Sequence, residues 1–314
     1  MTGLMAVYRK ELSDHFSSRR FLILFALICV AGVSATYVAG QSIHSDVSGA
    51  SKSGFVFLKL FTASNGVLPP FVTFVGFLGP LIGLALGFDA INNELARGTL
   101  SRILAQPIYR DSVINGKFLA GITTIGLMLL SIGLLLGGLG LRMIGIPPTF
   151  EEVLRLVSFL GLSVVYVAFW MSLSILFSIV FKQTATSALA GMAVWIFAIF
   201  FLPMLAGIAA DSIVKVAQDS PGPVLVAHAN WQLMLSRVSP STLYEEATAA
   251  MLTPGLRTLG PLLVSQVQGM VPGALSWSQS VLVVWPDVVG LVALTLICFA
   301  ISYVKFMMQE IRSG

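Results

Sequence analysis

Six runs of this chain are each long and apolar enough to cross a lipid bilayer, and nothing else in the sequence constrains the fold as strongly. A spanning helix needs about 20 mostly apolar residues. The runs are Phe21 to Gly40, a stretch inside Leu60 to Phe88, Phe118 to Leu141, Leu156 to Phe181, a stretch within Gln183 to Ala210, and roughly Val281 to Val304. Backbone amides find no water in hydrocarbon, so each run is expected to satisfy them as a helix. Charge is too scarce for the alternative: 10% of the 314 residues are charged, against about 25% in a soluble domain. A soluble enzyme is excluded. The predicted fold class is all-α, an integral membrane helical bundle with six transmembrane helices, treated as one domain over 1–314.

The placement of charge orients the bundle. With an N-terminus on the cytoplasmic side and six spans, the inner segments hold 11 of the 18 basic residues, and their net charge is 11 − 6 = +5 against 7 − 8 = −1 outside. This satisfies the positive-inside rule with both termini cytoplasmic. The same pattern explains the net charge of +4 as membrane orientation, with no nucleic-acid partner. The uncharged stretch Thr258 to Pro286 holds Pro261, Pro272, Gly269 and Gly273. Such residues break helices, so it reads as a re-entrant or interfacial segment. A seventh span would carry Lys305 and Arg312 outside. The first run lacks an A-x-A-like site after it and reads as a retained span.

Three flanking regions carry more information. In the leader (1–19), Leu4, Tyr8, Leu12 and Phe16 recur at helical spacing, with Arg9, Lys10 and Glu11 off that stripe. This predicts an amphipathic helix lying in the membrane interface. Prolines Pro69 and Pro70 mark the start of the second span. In the external region (211–280), Ser239-Pro240 reads as a helix start and Thr242 with Glu245 as a capping box, so short external helices are expected.

The loop between the second and third spans (89–117) is the longest cytoplasmic one and dense in both signs of charge. Gly98 is expected to make a turn and Thr99 to cap a short helix from Leu100 to Gln106. Pro107 then ends it. Glu94, Gly98, Thr99, Leu100, Leu104, Pro107, Ile108 and Arg110 form the pattern E-x-x-x-G-T-L-x-x-x-L-x-x-P-I-x-R. That pattern resembles the coupling segment of type-2 ABC export permeases. The leader Lys10-Glu11-Leu12, Arg19-Arg20-Phe21, and Ser239-Pro240-Ser241-Thr242-Leu243-Tyr244-Glu245 are similar to further parts of that family. The likeness is closest to the branch that includes the nitrous-oxide-reductase maturation permease. It implies a cell-membrane exporter subunit with two copies of a cytoplasmic ABC ATPase, a second copy of the permease, and ATP and Mg bound only on the ATPase. Coupling contacts would come from Glu94, Arg97, Gly98, Thr99, Leu100, Arg102, Leu104, Pro107 and Arg110, with Arg9, Lys10 and Glu11 in the interfacial helix.

The residues themselves offer no catalytic or cofactor site. Asn115-Gly116-Lys117-Phe118 lacks the spacing and the Ser/Thr of a phosphate-binding loop, so energy must come from a partner or an ion gradient. His15, His44 and His228 sit in separate segments, and Cys29 and Cys298 form no metal motif. Intramembrane charge, the usual mark of an ion-coupled carrier, is confined to Asp89 and Asp287 near span edges. The remaining readings are an ATPase-independent channel or carrier, and a membrane anchor whose ATPase acts on envelope partners. No substrate-binding residue is legible.

Overall fold

The computed structural model describes residues 3–45, 55–64, 66, 68–100, 105, 106, 108–216, 220–257 and 273–309. Among these, α1 is Gly3–Ser17, α2 Arg19–Ser45, α3 Lys59–Thr62, α4 Phe71–Gly87 and α5 Asn92–Ala96. They are followed by α6 Arg110–Ile144, α7 Phe150–Val180 and α8 Thr184–Ile196. A π-helical turn, Phe197–Phe201, continues α8 into α9 Leu202–Ile213. Then come α10 Gly222–Ser236, α11 Pro240–Leu252 and α12 Trp277–Met308. Six helices or helix pairs have the length and hydropathy to cross a membrane, and the chain is an all-α membrane bundle. The end of the bundle that carries α1, α5 and the end of α12 is called the terminal face below.

Local chemistry sets the helix ends. Ser18 separates α1 from α2 by accepting the Phe21 amide at 3.1 Å. Pro70 precedes α4, as its fixed φ requires. Two spans start earlier than their apolar runs. Thr149 and Glu152 form a capping box that begins α7 at Phe150, and Ser276 with Gln279 forms one that begins α12 at Trp277. Trp277 to Pro286, expected in a re-entrant segment, therefore belongs to the last spanning helix, with Pro286 inside it. Residues Thr258 to Pro272 of that expectation lie outside the described residues. Thr242 does not cap: α11 starts at Pro240 after Ser239, and the Ser239 hydroxyl donates instead to Ala198 O of the π turn at 3.1 Å.

The core sits around α7, which packs against α4 and α12. The α4–α7 seam is built on glycine. A Cβ on Gly83 would lie 2.5 Å from Val167 O, and one on Gly87 would lie 2.7 Å from Met171 O. Backbones this close forgo side-chain volume for van der Waals contact, the usual route to tight packing between spans. Ser174 Oγ then donates to Leu84 O at 2.9 Å across the seam.

The helices α10 and α11 pack beside the spans. His228 of α10 bonds Asp211 at the end of α9 at 2.8 Å, and Ser239 reaches Ala198. The latter is roughly 24 Å along the fifth span from Lys182 at 1.5 Å rise per residue. The pair is thus a hairpin that descends beside α9 and returns between α7, α4 and α12. Its return arm is fixed to the core. Tyr244 stacks on Tyr166 of α7 with centroids 4.2 Å apart, and the Tyr244 and Ser163 hydroxyls bond at 2.8 Å. Tyr166 Oη donates to Gly76 O of α4 at 2.9 Å. At the end opposite the terminal face, the fully buried Arg155 donates to Met251 O at 2.8 Å, Leu275 O at 2.6 Å and Ser280 Oγ at 3.0 Å. Tyr166→Phe is expected to leave Gly76 O unpaired and lower stability by about 1–2 kcal/mol, read as a lower Tm in detergent with the same monodispersity.

Candidate functional site

The 89–117 segment and α1 converge on the terminal face, and a buried ion-pair network joins them. Lys117, in the first turns of α6, is 6% exposed. Its Nζ donates to Glu11 Oε1 of α1 at 2.9 Å and to Glu94 Oε1 of α5 at 2.9 Å. Lys10 adds contacts to Glu11 at 2.8 Å, Asp14 at 3.3 Å and Glu94 at 3.4 Å. Glu11 lies off the apolar stripe of the leader yet turns inward, because Lys117 supplies the charge that makes burial tolerable. Close approach is possible because Gly116 faces Val7: a Cβ there would lie 2.8 Å from Val7 Cγ1. Tyr8 Oη donates to Thr123 Oγ1 about two turns further along α6 at 3.2 Å.

Burial alone would push the Glu11 carboxyl up, but the Lys117 and Lys10 charges and hydrogen bonds prevail and hold it below the usual carboxylate value. Lys10 is likewise opposed by burial, and its carboxylate partners hold it above the usual lysine value. His15, one turn past Glu11, is pulled down by burial, which outweighs the nearby carboxylates.

Two further anchors fix the segment. Ser178 Oγ, near the end of α7, accepts the amides of Ile91 and Asn92 at 2.9 and 3.1 Å, replacing the side-chain cap that α5 lacks. Arg20 pairs with Asp89 at 2.6 Å and lies over the Phe88 ring at 4.9 Å. The segment is therefore tied to α1, α2, α6 and α7 together.

The expected site residues divide between inside and outside. Glu94 is 14% exposed on its side chain, and its Oε2 is buried with no hydrogen-bond partner among the described residues. Gly98 has φ +65°, a left-handed turn that favours glycine, and Thr99 and Leu100 resume a helix after it. Thr99 Oγ1 donates back to Glu94 O at 3.2 Å. Leu100 is fully buried and presents nothing outward. Arg102, Leu104 and Pro107 lie outside the described residues. Arg110 donates to Gln309 O at 3.0 Å, tying the start of α6 to the end of α12. Arg9, Lys10, Arg97 and Gly98 are exposed. Two residues were not singled out by sequence reasoning: Lys117, read only as part of a failed phosphate loop, and Tyr109, 81% exposed. Tyrosine on an otherwise polar rim is a common interface residue, which was the available signal.

A cavity of about 790 Å³ opens beside this network. Its rim is charged, and its floor, from Leu24, Leu86, Met171 and Ile175, reaches between α2, α4 and α7. Among the described residues no cluster of His, Cys, Asp or Glu could hold a metal ion, and Cys29 and Cys298 are unbridged.

The geometry of six spans, a packed leader helix and a braced inter-span segment matches a known pattern of sequence. The profile of the family described as "ABC-2 family transporter protein" matches residues 5–311. The chain belongs to the ABC-2 transporter family. Among similar proteins is the "Probable ABC transporter permease protein NosY" of Pseudomonas aeruginosa, 27% identical over 248 residues, covering 78% of this chain and 80% of that one. The protein of that name from Stutzerimonas stutzeri is 32% identical over 152 residues, 46% of this chain and 50% of the other. The resemblance drawn from the Glu94 to Arg110 pattern thus holds for the ABC-2 chain as a whole, and a membrane-embedded transporter permease is its class. The relatives' names point to the same branch as the sequence motifs.

Proposed function

We propose that this ABC-2 chain is the permease of an ATP-driven exporter in the cell membrane, its terminal face cytoplasmic, its whole length one permease domain. The observation that carries the reading is the Glu11–Lys117–Glu94 network. It makes the leader helix and the inter-span segment one body seated on the bases of α6 and α7. A body so placed can receive a push and pass it to the spans. The pushing partner is a cytoplasmic ABC ATPase, two copies of which bind ATP and Mg, close on the bound nucleotide and reopen after hydrolysis, acting on two permease copies. The surface offered to it is the exposed edge around Arg97, Gly98 and Tyr109 with the outer side of α1, while Glu94 and Leu100 hold that edge from within. Arg102, Leu104 and Pro107 complete the segment. Differential contact with the open and closed ATPase dimer would shift the access of the pathway. The chain hydrolyses nothing itself.

Gly98→Pro tests this, since proline cannot adopt a positive φ. Tyr109→Asp tests the edge without touching the backbone. Each is expected to lower co-purification with the ABC ATPase encoded beside the gene by at least about tenfold, roughly 1.4 kcal/mol, while membrane insertion is unchanged. Undiminished co-purification and permease-stimulated ATP turnover in both variants would overturn the proposal. So would labelling of a cysteine at position 97 from the extracytoplasmic side only.

A further inference from the structure

We infer that the cavity on the terminal face is a binding site for a membrane phospholipid whose headgroup carries both phosphate and hydroxyl groups. The cavity shares Arg97 with the proposed docking edge, but its lining is otherwise separate from that edge. The cavity is about 790 Å³, within the range of ligand pockets. It is amphipathic along one direction, with titratable groups at the rim and Leu24, Leu86, Met171 and Ile175 at the floor. Water fills such a floor poorly, whereas an acyl chain fills it well. The rim lies where the leader helix meets the first span, the level of lipid headgroups.

Charge selects the headgroup. Four carboxylates line the cavity, and each is answered within the protein: Glu11 and Glu94 by Lys117 and Lys10, Asp14 by Lys10, Asp89 by Arg20. Two further cations in the lining, Arg19 and Arg97, make no ion pair with any described residue. They come from separate elements, α2 and the turn after α5. Guanidinium groups bind phosphate oxygens in pairs, and basic pockets between spans favour anionic headgroups. Zwitterionic headgroups bring their own ammonium, which these arginines disfavour. Glu94 lines the cavity, and its buried Oε2 has no hydrogen-bond partner among the described residues, a second, separate signal. Beside a phosphate it needs a neutral donor, and a headgroup hydroxyl is one. Phosphatidylglycerol has this combination.

The test uses the full chain in nanodiscs of phosphatidylcholine containing a minor fraction of phosphatidylglycerol. Lipid retained after detergent extraction is counted by native mass spectrometry. The wild type should retain phosphatidylglycerol over phosphatidylcholine. The double variant R19Q/R97Q should lose at least about tenfold of that preference, and K182Q/K305Q, which alters charges outside the cavity, should keep it. Because a variant can fail for other reasons, photoactivatable phosphatidylglycerol is applied to the wild type, where it should label peptides covering 18–24 and 93–99. Equal retention by R19Q/R97Q, or labelling confined to other peptides, would overturn the inference. Inorganic phosphate shielding Arg97 from phenylglyoxal as strongly as lipid does would also overturn it, by making the site one for free phosphate.

Discussion

Gly83→Val is expected to abolish the native bundle. The added Cβ alone would sit 2.5 Å from Val167 O, 2.8 Å from Met171 N and 2.8 Å from Trp170 Cβ. Two of those three atoms are backbone, so no rotamer change relieves the clash, and α4 must separate from α7. Overpacking in a close-packed interior typically costs 1–3 kcal/mol where side chains can adjust. Here they cannot, so even Gly83→Ala should cost about 3 kcal/mol or more, and valine should exceed the stability of the fold. Gly161→Ala is the control, since a Cβ there meets nothing within 4 Å; it should change stability by less than about 0.5 kcal/mol. Thermal unfolding in detergent and size-exclusion profiles read both. A Gly83→Ala protein as stable as the Gly161→Ala protein would refute the seam.

The second large effect belongs to Lys117. Lys117→Met leaves Glu11 and Glu94 with only the half-exposed Lys10 as a shared cation, and breaking a buried pair in this way costs about 3–5 kcal/mol. The loss should be local: amides of α1 and α5 should exchange with solvent much faster while those of α7 stay protected. Removing the stranded charges as well, in K117M/E11Q/E94Q, should recover most of the protection, because a neutral network carries no desolvated ion. Acid should mimic the first variant. Glu11 has a folded pKa below its unfolded one, so its contribution is present at neutral pH and disappears as pH falls through the folded value, below the ordinary carboxylate range. Lys10 is shifted the other way; its contribution is present at neutral pH and disappears only as pH rises past the ordinary lysine range. Docking of α1 should thus be flat around neutrality and fail first on the acid side, as hydrogen exchange across pH would show.

The bundle was legible in the sequence because hydrocarbon imposes a length and a polarity on each crossing, and six runs met both. The turn at Gly98 was legible because few residues other than glycine take a positive φ there. Helix starts were less so. Counting apolar residues put the fourth span at Leu156 and the sixth at Val281, while the capping boxes at Thr149 and Ser276 set them earlier. Those boxes were visible as Thr149-Phe-Glu-Glu152 and Ser276-Trp-Ser-Gln279 but lay outside the apolar count. The glycine seam was hidden for a physical reason. On an apolar helix, periodicity cannot separate a face that meets lipid from one that meets another helix, and Gly83 and Gly87 look the same in either case. The site was half visible. The motif marked its stretch of chain, but Glu11 and Lys117 are brought to Glu94 only by packing of α1 on α6 at Gly116, a contact with no trace in local sequence. The hairpin at α10 and α11 was expected as surface helices, since its polar tip and apolar arms resemble an ordinary loop-rich region.

The backbone contact between α4 and α7 has a mechanical consequence. Two rods fused along their length cannot slide, so they form a stiff beam. One end of that beam holds Ile91 and Asn92 through Ser178, and further along it Ser163 holds Tyr244 of the hairpin. Those two grips are separated by roughly 22 Å at 1.5 Å per residue. A beam of that reach, tilted by about 10°, carries its far grip some ~4 Å sideways, on the order of the width of a side chain. Were the Ile91–Asn92 grip displaced so as to tilt the beam, Tyr244 would be carried along by about that distance, with no helix melting in between.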